Sequence, residues 1–227
     1  MNYENIIKKI KSLHDPVAIE GMARYGINPS NNYGVKVSTL RQMAKGIGKN
    51  HELALKLWAS GIHDARILAP LVEDKKFVTE EQMEQWVKDF DSWDICDNCC
   101  ALFISTEWAY DKAVEWSARD EEFVKRAGYV MMARLAVRDK KAEDKAFKTF
   151  FPHIKRGATD ERNYVKKAVN WTVRSIGKRN MTLNRKALNL AKEIKEIDSK
   201  AARWIANDAI RELESDKIIQ AIKRRER

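Results

Sequence analysis

The segment VKKAVNWTVRSI, residues 165–176, decides the fold class because it has counterparts elsewhere in the chain. VKRAGYVMMARL (residues 124–135) and SKAARWIANDAI (residues 199–210) also carry a basic residue followed by alanine, and DARILAPLV (residues 64–72) is a weaker match. With SWDICDNCCALF (residues 92–103) included, successive segments lie about 30–40 residues apart. This is the period of solenoids built from helix pairs, whose apolar faces are buried against neighbouring pairs. A plain helical bundle is the alternative.

Helical periodicity extends over almost the whole chain of 227 residues, which contains only 9 Gly and 4 Pro. Asp15-Pro16 and Thr79-Glu80-Glu81 are typical helix starts, and Thr182 precedes another. One clear loop, GINPSNNY, occupies residues 26–33, and no strand-like alternation stands out. We therefore predict an all-α chain that forms one domain, residues 1–227, with helices near 4–13, 16–25, 37–47, 51–60, 62–73, 79–89, 92–104, 107–118, 120–137, 141–157, 160–178, 183–196, 198–213 and 215–225.

The charge balance suggests an anionic partner. The formal net charge is +10, which favours nucleic acid first and a membrane surface second. A soluble basic protein without such a partner is the alternative. The first twelve residues, MNYENIIKKIKS, lack the apolar core of a signal peptide. No run approaches the roughly 18 apolar residues of a membrane span. The three clustered cysteines cannot form a disulfide framework, so we expect a reducing, cytoplasmic compartment.

All three cysteines lie in SWDICDNCC, residues 92–100, where Cys96 and Cys99 form a C-x-x-C. A structural zinc site needs about four Cys or His ligands, and the four His are scattered along the chain. A redox C-x-x-C would need a βαβ setting. On a helix, Ile95, Cys99 and Leu102 form an apolar stripe, so we predict that the cysteines pack in the core and bind no metal.

Trp93 and Asp97 are four residues apart and share another side of the same helix, with Asp94 and Cys100 beside them. A large aromatic next to a carboxylate, away from the apolar stripe, is a candidate site. From spacing alone, a partly buried Trp beside a solvated Asp is the simpler interpretation.

A second constellation, Lys167, Trp171, Arg174 and Lys178, forms one stripe on the helix near residues 160–178. Cations interleaved with an aromatic suit a phosphate backbone and a sugar or base face. Function is therefore favoured over a solvated face. Arg126 is a weaker candidate, since it could simply pair with an acidic neighbour such as Glu122. We predict packing roles for the other tryptophans, which are Trp58, Trp86, Trp108, Trp116 and Trp204.

Five segments together resemble the HEAT-like-repeat DNA alkylation repair family, the AlkD-like alkylpurine DNA glycosylases. They are MARYGI (22–27), YGVKVSTLRQMAK (33–45), SWDICD (92–97), EEFVKRAGYV (121–130) and YVKKAVNWTVR (164–174). They occur in the family's order over most of the chain.

The resemblance implies a curved, right-handed superhelical solenoid of HEAT-like (ARM-type) repeats that grips duplex DNA. The implied activity is hydrolysis of the N-glycosidic bond of cationic N3- or N7-alkylated purines, with no cofactor, metal or base-flipping pocket. We further expect a monomer, without membrane association, that joins the nucleoid when bound to DNA. By position, Asp97 matches the catalytic carboxylate, Trp93 and Trp171 the sugar-contacting tryptophans, Arg126 and Arg174 the groove arginines, and Tyr25 the N-terminal aromatic.

Two departures from the family pattern affect the predicted DNA contacts. Lys36 stands where some members carry a polar amide, and Val37-Ser38 stand where the motif often has Thr-Pro. Lesion preference is therefore open. Two other function classes compete with the glycosylase: a non-catalytic protein of the same fold that binds branched or distorted DNA, and a HEAT-like scaffold for an acidic protein partner.

Overall fold

A computed structural model describes residues Asn2–Glu226, and every regular element in that range is a helix. The chain forms two compact units, Met1–Trp108 and Ala109–Arg227. The first unit contains α1 (Tyr3–Ser12), α2 (Pro16–Arg24), α3 (Val37–Ile47), α4 (His51–Ala59), α5 (His63–Val72), α6 (Glu80–Lys88) and α7 (Trp93–Phe103). The second contains α8 (Ala109–Ser117), α9 (Glu122–Arg138), α10 (Asp144–Lys148), α11 (Phe151–Gly157), α12 (Asn163–Gly177), α13 (Met181–Lys195), α14 (Lys200–Leu213) and α15 (Asp216–Glu226).

The repeated segments of the sequence form the central helices of each unit. In the first unit, α5 packs against α3, α4 and α7. In the second, α12 packs between α9 and α14, while α8 covers α9 and α13 packs on both α12 and α14. Within each unit, the central helices therefore bury their apolar faces against one another, as helical repeats do. The predicted all-α repeat fold is confirmed.

Close helix packing in the second unit depends on a glycine. Gly128 lies in the buried face of α9. A Cβ at this position would lie 2.8 Å from the carbonyl oxygen of Ala113 in α8, which is nearer than carbon and oxygen approach. The missing side chain thus lets the two helix backbones come together.

Most predicted helix boundaries lie within a few residues of those observed, but two predictions were wrong. The predicted helix 141–157 is interrupted at Thr149–Phe150 and resumes as α11, where Pro152 occupies the first turn. Proline cannot donate the backbone hydrogen bond that a continuous helix would need there. The helix start assigned after Thr182 lies slightly earlier, since Asn180 caps α13 by accepting from the Leu183 N–H at 2.8 Å. Asp15 and Thr79 cap α2 and α6 as predicted.

The three cysteines are free thiols and fully buried, which confirms their predicted core packing. Burial raises the pKa of the Cys99 thiol well above its ordinary value, so it stays protonated and unreactive. Within Asn2–Glu226, no group of His, Cys, Asp and Glu is arranged to hold a metal ion. Nor does any helix in that range combine the length and apolar composition required to cross a membrane.

Candidate nucleic-acid interface

Trp93 is the first residue of α7, and its ring is held by the end of α2. The half-buried indole donates its N–H to the backbone carbonyl of Tyr25, with a nitrogen–oxygen distance of 3.0 Å. Tyr25 itself is 76% exposed and follows the last residue of α2. The structure therefore brings together two aromatic residues that the sequence separates by 68 positions.

Hydrogen bonds from the loop at residues 26–33 hold the segment just before Trp93 in place. The buried hydroxyl of Ser92, just before α7, accepts a hydrogen bond from the Asn28 N–H at 2.9 Å. The Asn28 side-chain amide donates to Asp91 at 2.7 Å. Sequence reasoning missed Asn28 and Ser92, since contacts between residues about 64 positions apart leave no local signal.

A buried carboxylate anchors the far end of the same loop. Asp64, in the first turn of α5, accepts hydrogen bonds from the backbone N–H groups of Tyr33 and Val35, both at 2.7 Å. Asp64 is 1% exposed, so these two bonds replace the water that its charge would otherwise need. Lys36 follows directly and is exposed at the start of α3. The predicted DNA contact Lys36 is thus attached, through Val35 and Asp64, to the start of α5.

Asp97 lies one turn after Trp93 on α7 and is half-buried. The two residues predicted to accompany it behave differently, because Asp94 is 7% exposed and Cys100 is fully buried. Asp94 and Cys100 therefore lie in the core rather than on the accessible face of α7. Packing of α7 on α5 covers more of the helix circumference than the apolar stripe suggested.

Asp94 has a partner inside the core. Its Oδ2 lies 3.0 Å from Nε2 of His63, and both side chains are buried. The backbone N–H of His63 also donates a hydrogen bond to the Asn31 carbonyl at 2.9 Å. His63 therefore connects the N-terminal turn of α7 to α5 and to the loop.

The predicted basic stripe lies on α12 in the second unit, and two of its cations are paired. Arg174 lies 2.6 Å from Glu212, and the Lys178 ammonium lies 2.8 Å from the other oxygen of that carboxylate. Burial opposes ionisation of Glu212, but hydrogen bonds from Lys178 and Arg174 outweigh it and lower its pKa. Lys167 is exposed. The stripe thus combines one solvent-facing cation with two that α14 partly neutralises.

Trp171 is half-buried in this stripe and lies beside a cation that the sequence analysis missed. The guanidinium carbon of Arg134, on α9, lies 5.6 Å from the centroid of the Trp171 ring. Arg134 follows Arg126 by eight residues, close to two helical turns, a spacing that could have signalled it.

Arg126 is 6% exposed and donates a hydrogen bond to the Tyr164 carbonyl at 2.7 Å. It thereby connects α9 to the first turn of α12. A phosphate contact from Arg126 stays a prediction, whereas the contact seen here holds the basic stripe in place.

The predicted packing roles hold for Trp58, Trp86 and Trp116, which are 5% exposed or less. Trp204 departs from the prediction, since it is 43% exposed on α14, with the Lys166 ammonium 5.3 Å from its ring centroid.

Comparison with known proteins places these features in a family. The family model described as DNA alkylation repair enzyme matches residues 6–213. The uncharacterized protein Lmo0209 of Listeria monocytogenes is 24% identical over 202 residues, which cover 87% of this chain and 88% of that protein. Lin0241 of Listeria innocua is 23% identical over the same shares of the two chains.

A solved structure shares the fold. It represents "a new family of proteins related to the HEAT-like repeat DNA glycosylases with affinity for branched DNA structures" and is 21% identical, with a TM-score of 0.76. The match covers 93% of this chain and 95% of that one. The family match spans nearly all of the helical repeats described above. The chain therefore belongs to the DNA alkylation repair enzyme family.

Proposed function

We propose that the protein is a monofunctional DNA glycosylase that releases cationic N3- or N7-alkylated purines, such as 3-methyladenine and 7-methylguanine, from duplex DNA. The observation that carries the proposal is the arrangement on α7. A half-buried carboxylate, Asp97, lies one turn from an indole whose orientation is fixed by a hydrogen bond to Tyr25. Membership of the DNA alkylation repair enzyme family supports the same chemistry.

The leaving group explains why so few catalytic groups suffice. An alkylated purine already carries a positive charge, so its departure as a neutral base needs no general acid. The bond between C1′ and the purine nitrogen breaks, and its electron pair neutralises the base. Positive charge then develops on the deoxyribose, which becomes oxocarbenium-like.

Asp97 is the group proposed to stabilise that charge. A carboxylate near C1′ stabilises the sugar cation electrostatically and orients the attacking water. The water oxygen forms the new bond to C1′, and its proton passes to Asp97 or to solvent. Partial burial strengthens the interaction because fewer water molecules screen it.

The aromatic residues are proposed to hold the sugar. The electron-rich face of an indole attracts a developing cation. Fixing the Trp93 ring through Tyr25 removes the cost of ordering it when DNA binds. The same role for Trp171 comes from the family resemblance, and the neighbouring Arg134 would add a phosphate contact.

Five cationic side chains are proposed to position the DNA backbone: Lys36, Arg126, Lys167, Arg174 and Lys178. Contacts of this kind make affinity fall with salt, by a slope of about 0.9 per phosphate neutralised. A phosphate bound by Arg174 and Lys178 would have to compete with Glu212, which already pairs with both cations.

We also infer that the protein is a cytoplasmic monomer. Light scattering after gel filtration would test the monomeric state.

The decisive experiment measures base release from methylated duplex DNA under single-turnover conditions. Asp97→Asn should lower the rate by at least about a hundredfold, typical for loss of an electrostatic stabiliser. Its affinity for undamaged duplex should hardly change. Asp111→Asn, an equivalent change at an exposed position of α8, serves as the matched control. Equal release by the wild type and Asp97→Asn would refute the proposed role of Asp97.

A second candidate is a non-catalytic protein that binds branched DNA. The structural neighbour with 21% identity is described as having that affinity. The pairing of two stripe cations with Glu212 also fits modest affinity for plain duplex. Tighter binding to a four-way junction than to duplex, together with no base release by the wild type, would favour this candidate.

A further inference from the structure

A cavity of about 420 Å³ in the second unit lies against Trp171, and most of its lining residues have no role in the function proposed above. Four cationic side chains line it, and no carboxylate is among the lining residues. The cations are Lys140, Lys178, Arg179 and Arg225. A cavity with this lining suits an anion.

Backbone carbonyl groups hold the two guanidinium groups of the cavity in place. Arg179 donates to the backbone carbonyls of Ala136 and Asp139, at 2.7 and 2.8 Å, and Arg225 donates to the Lys178 carbonyl at 2.6 Å. Carbonyl groups orient a guanidinium without cancelling its net charge. Lys140 is exposed and forms no ion pair with any residue between Asn2 and Glu226. Lys178 is paired with Glu212, and Asp139 and Asp144 interact electrostatically with Arg179. Lys140 and Arg225 are thus the lining cations without an ion pair to the described residues.

One wall of the cavity lies outside the matched part of the chain. The family match covers residues 6–213, whereas Arg225 lies on α15, which begins at Asp216. That helix is attached to the start of α13, because the Glu226 carboxylate accepts the Met181 N–H at 2.8 Å. Arg225 therefore adds a cation from α15 to the basic stripe of α12.

We propose that this cavity binds a backbone phosphodiester of DNA next to the nucleotide that contacts Trp171. This proposal rests on DNA being the ligand, as in the proposed function, but not on base release. The phosphate oxygens would accept hydrogen bonds from Arg225 and Lys140, and Trp171 would contact the adjoining sugar. Phosphate contacts of this kind fix register without reading sequence.

The test measures the affinity of the full-length protein for undamaged duplex over a range of salt concentrations, so excision does not enter the result. Arg225→Ala and Lys140→Ala should each weaken binding about tenfold, as loss of a charged hydrogen bond does. Each should also lower the salt slope by about 1. Arg225→Lys, which keeps the charge, should retain most of the affinity. Melting temperatures show whether a variant is folded.

Arg224→Ala is the matched control, because Arg224 is exposed on the same helix and does not line the cavity. It should leave affinity and slope nearly unchanged. Equal losses for Arg224→Ala and Arg225→Ala would indicate diffuse attraction by a basic tail and overturn the site. Unchanged affinity in folded Arg225→Ala and Lys140→Ala would also overturn it. The proposal would also be overturned if binding of free dAMP depended on Arg225 but the affinity for duplex DNA did not.

Discussion

The indole N–H of Trp93 and the carbonyl of Tyr25 form a 3.0 Å hydrogen bond that joins the start of α7 to the end of α2. Both residues are predicted DNA contacts, and the bond to the Tyr25 backbone sets the orientation of the Trp93 ring. The ring proposed to contact the sugar is thus positioned by a main-chain carbonyl.

Trp93→Phe tests whether this orientation matters. Phenylalanine keeps an aromatic ring but cannot donate to the Tyr25 carbonyl, and its face attracts cations less strongly. We expect base release to fall about tenfold, which corresponds to about 1.4 kcal/mol of transition-state stabilisation. The melting temperature should change little, because the carbonyl can bond to water instead.

Trp86→Phe is the control for that variant. Trp86 is 2% exposed and stacks on Trp58 at 4.3 Å between ring centroids. Its replacement should lower stability and leave release per folded molecule intact. Should Trp93→Phe follow the same pattern, its role would be packing alone.

Glu212→Gln should tighten DNA binding. The change removes a negative charge and frees Lys178 for phosphate, while Arg174 keeps only its longer, 3.6 Å pair with Asp208. The salt slope should therefore steepen by about 1 to 2. Glu214→Gln, at an exposed residue just after α14, removes the same charge without freeing these cations and is the matched control. Tightening of equal size in both variants would contradict the pairing argument.

Glu212 also predicts a pH dependence of stability. Its pKa is lowered in the folded chain, so its ionised form stabilises the fold above the ordinary carboxyl pKa of about 4.3. That contribution is lost as the pH falls through the lowered, folded-state pKa. The difference in unfolding free energy between the wild type and Glu212→Gln should therefore shrink from pH 7 toward acid, as urea denaturation would show.

Cys96→Ala and Cys99→Ala should cost stability and spare activity. Each removes a buried sulfur from the core, at about 1 kcal/mol or more. Base release per folded molecule and its insensitivity to chelators should persist. Lost activity with unchanged stability would instead point to a metal or redox role for the C-x-x-C.

Gly128→Ala should destabilise the second unit by about 2 kcal/mol, because the new methyl group would overlap the backbone of α8. Gly46→Ala in α3 is the control, since nothing lies within 4 Å of its Cβ position. Alanine there should be neutral or stabilise by up to about 1 kcal/mol. If urea denaturation gave equal changes in unfolding free energy for the two variants, helix propensity rather than packing would determine the effect at both positions.

The helical repeats could be predicted from the sequence because packing in each repeat depends on residues within one helix and its neighbours. The pairing of Trp93 with Tyr25 and the hydrogen bond from Asn28 to Ser92 could not, since they join residues more than 60 positions apart. Arg126 and Trp204 show a further limit. The family resemblance implied a groove arginine at Arg126, and the sequence predicted a packed tryptophan at Trp204, but burial depends on which helix covers each face.

The attachment of α15 has a practical consequence for anyone producing this protein. A purification tag fused after Arg227 would begin three residues after Arg225, on the helix whose Glu226 caps α13. An acidic tag there would pair with the cations of the cavity and distort affinity measurements. Tags are better placed at the N-terminus, where α1 contributes to the other compact unit.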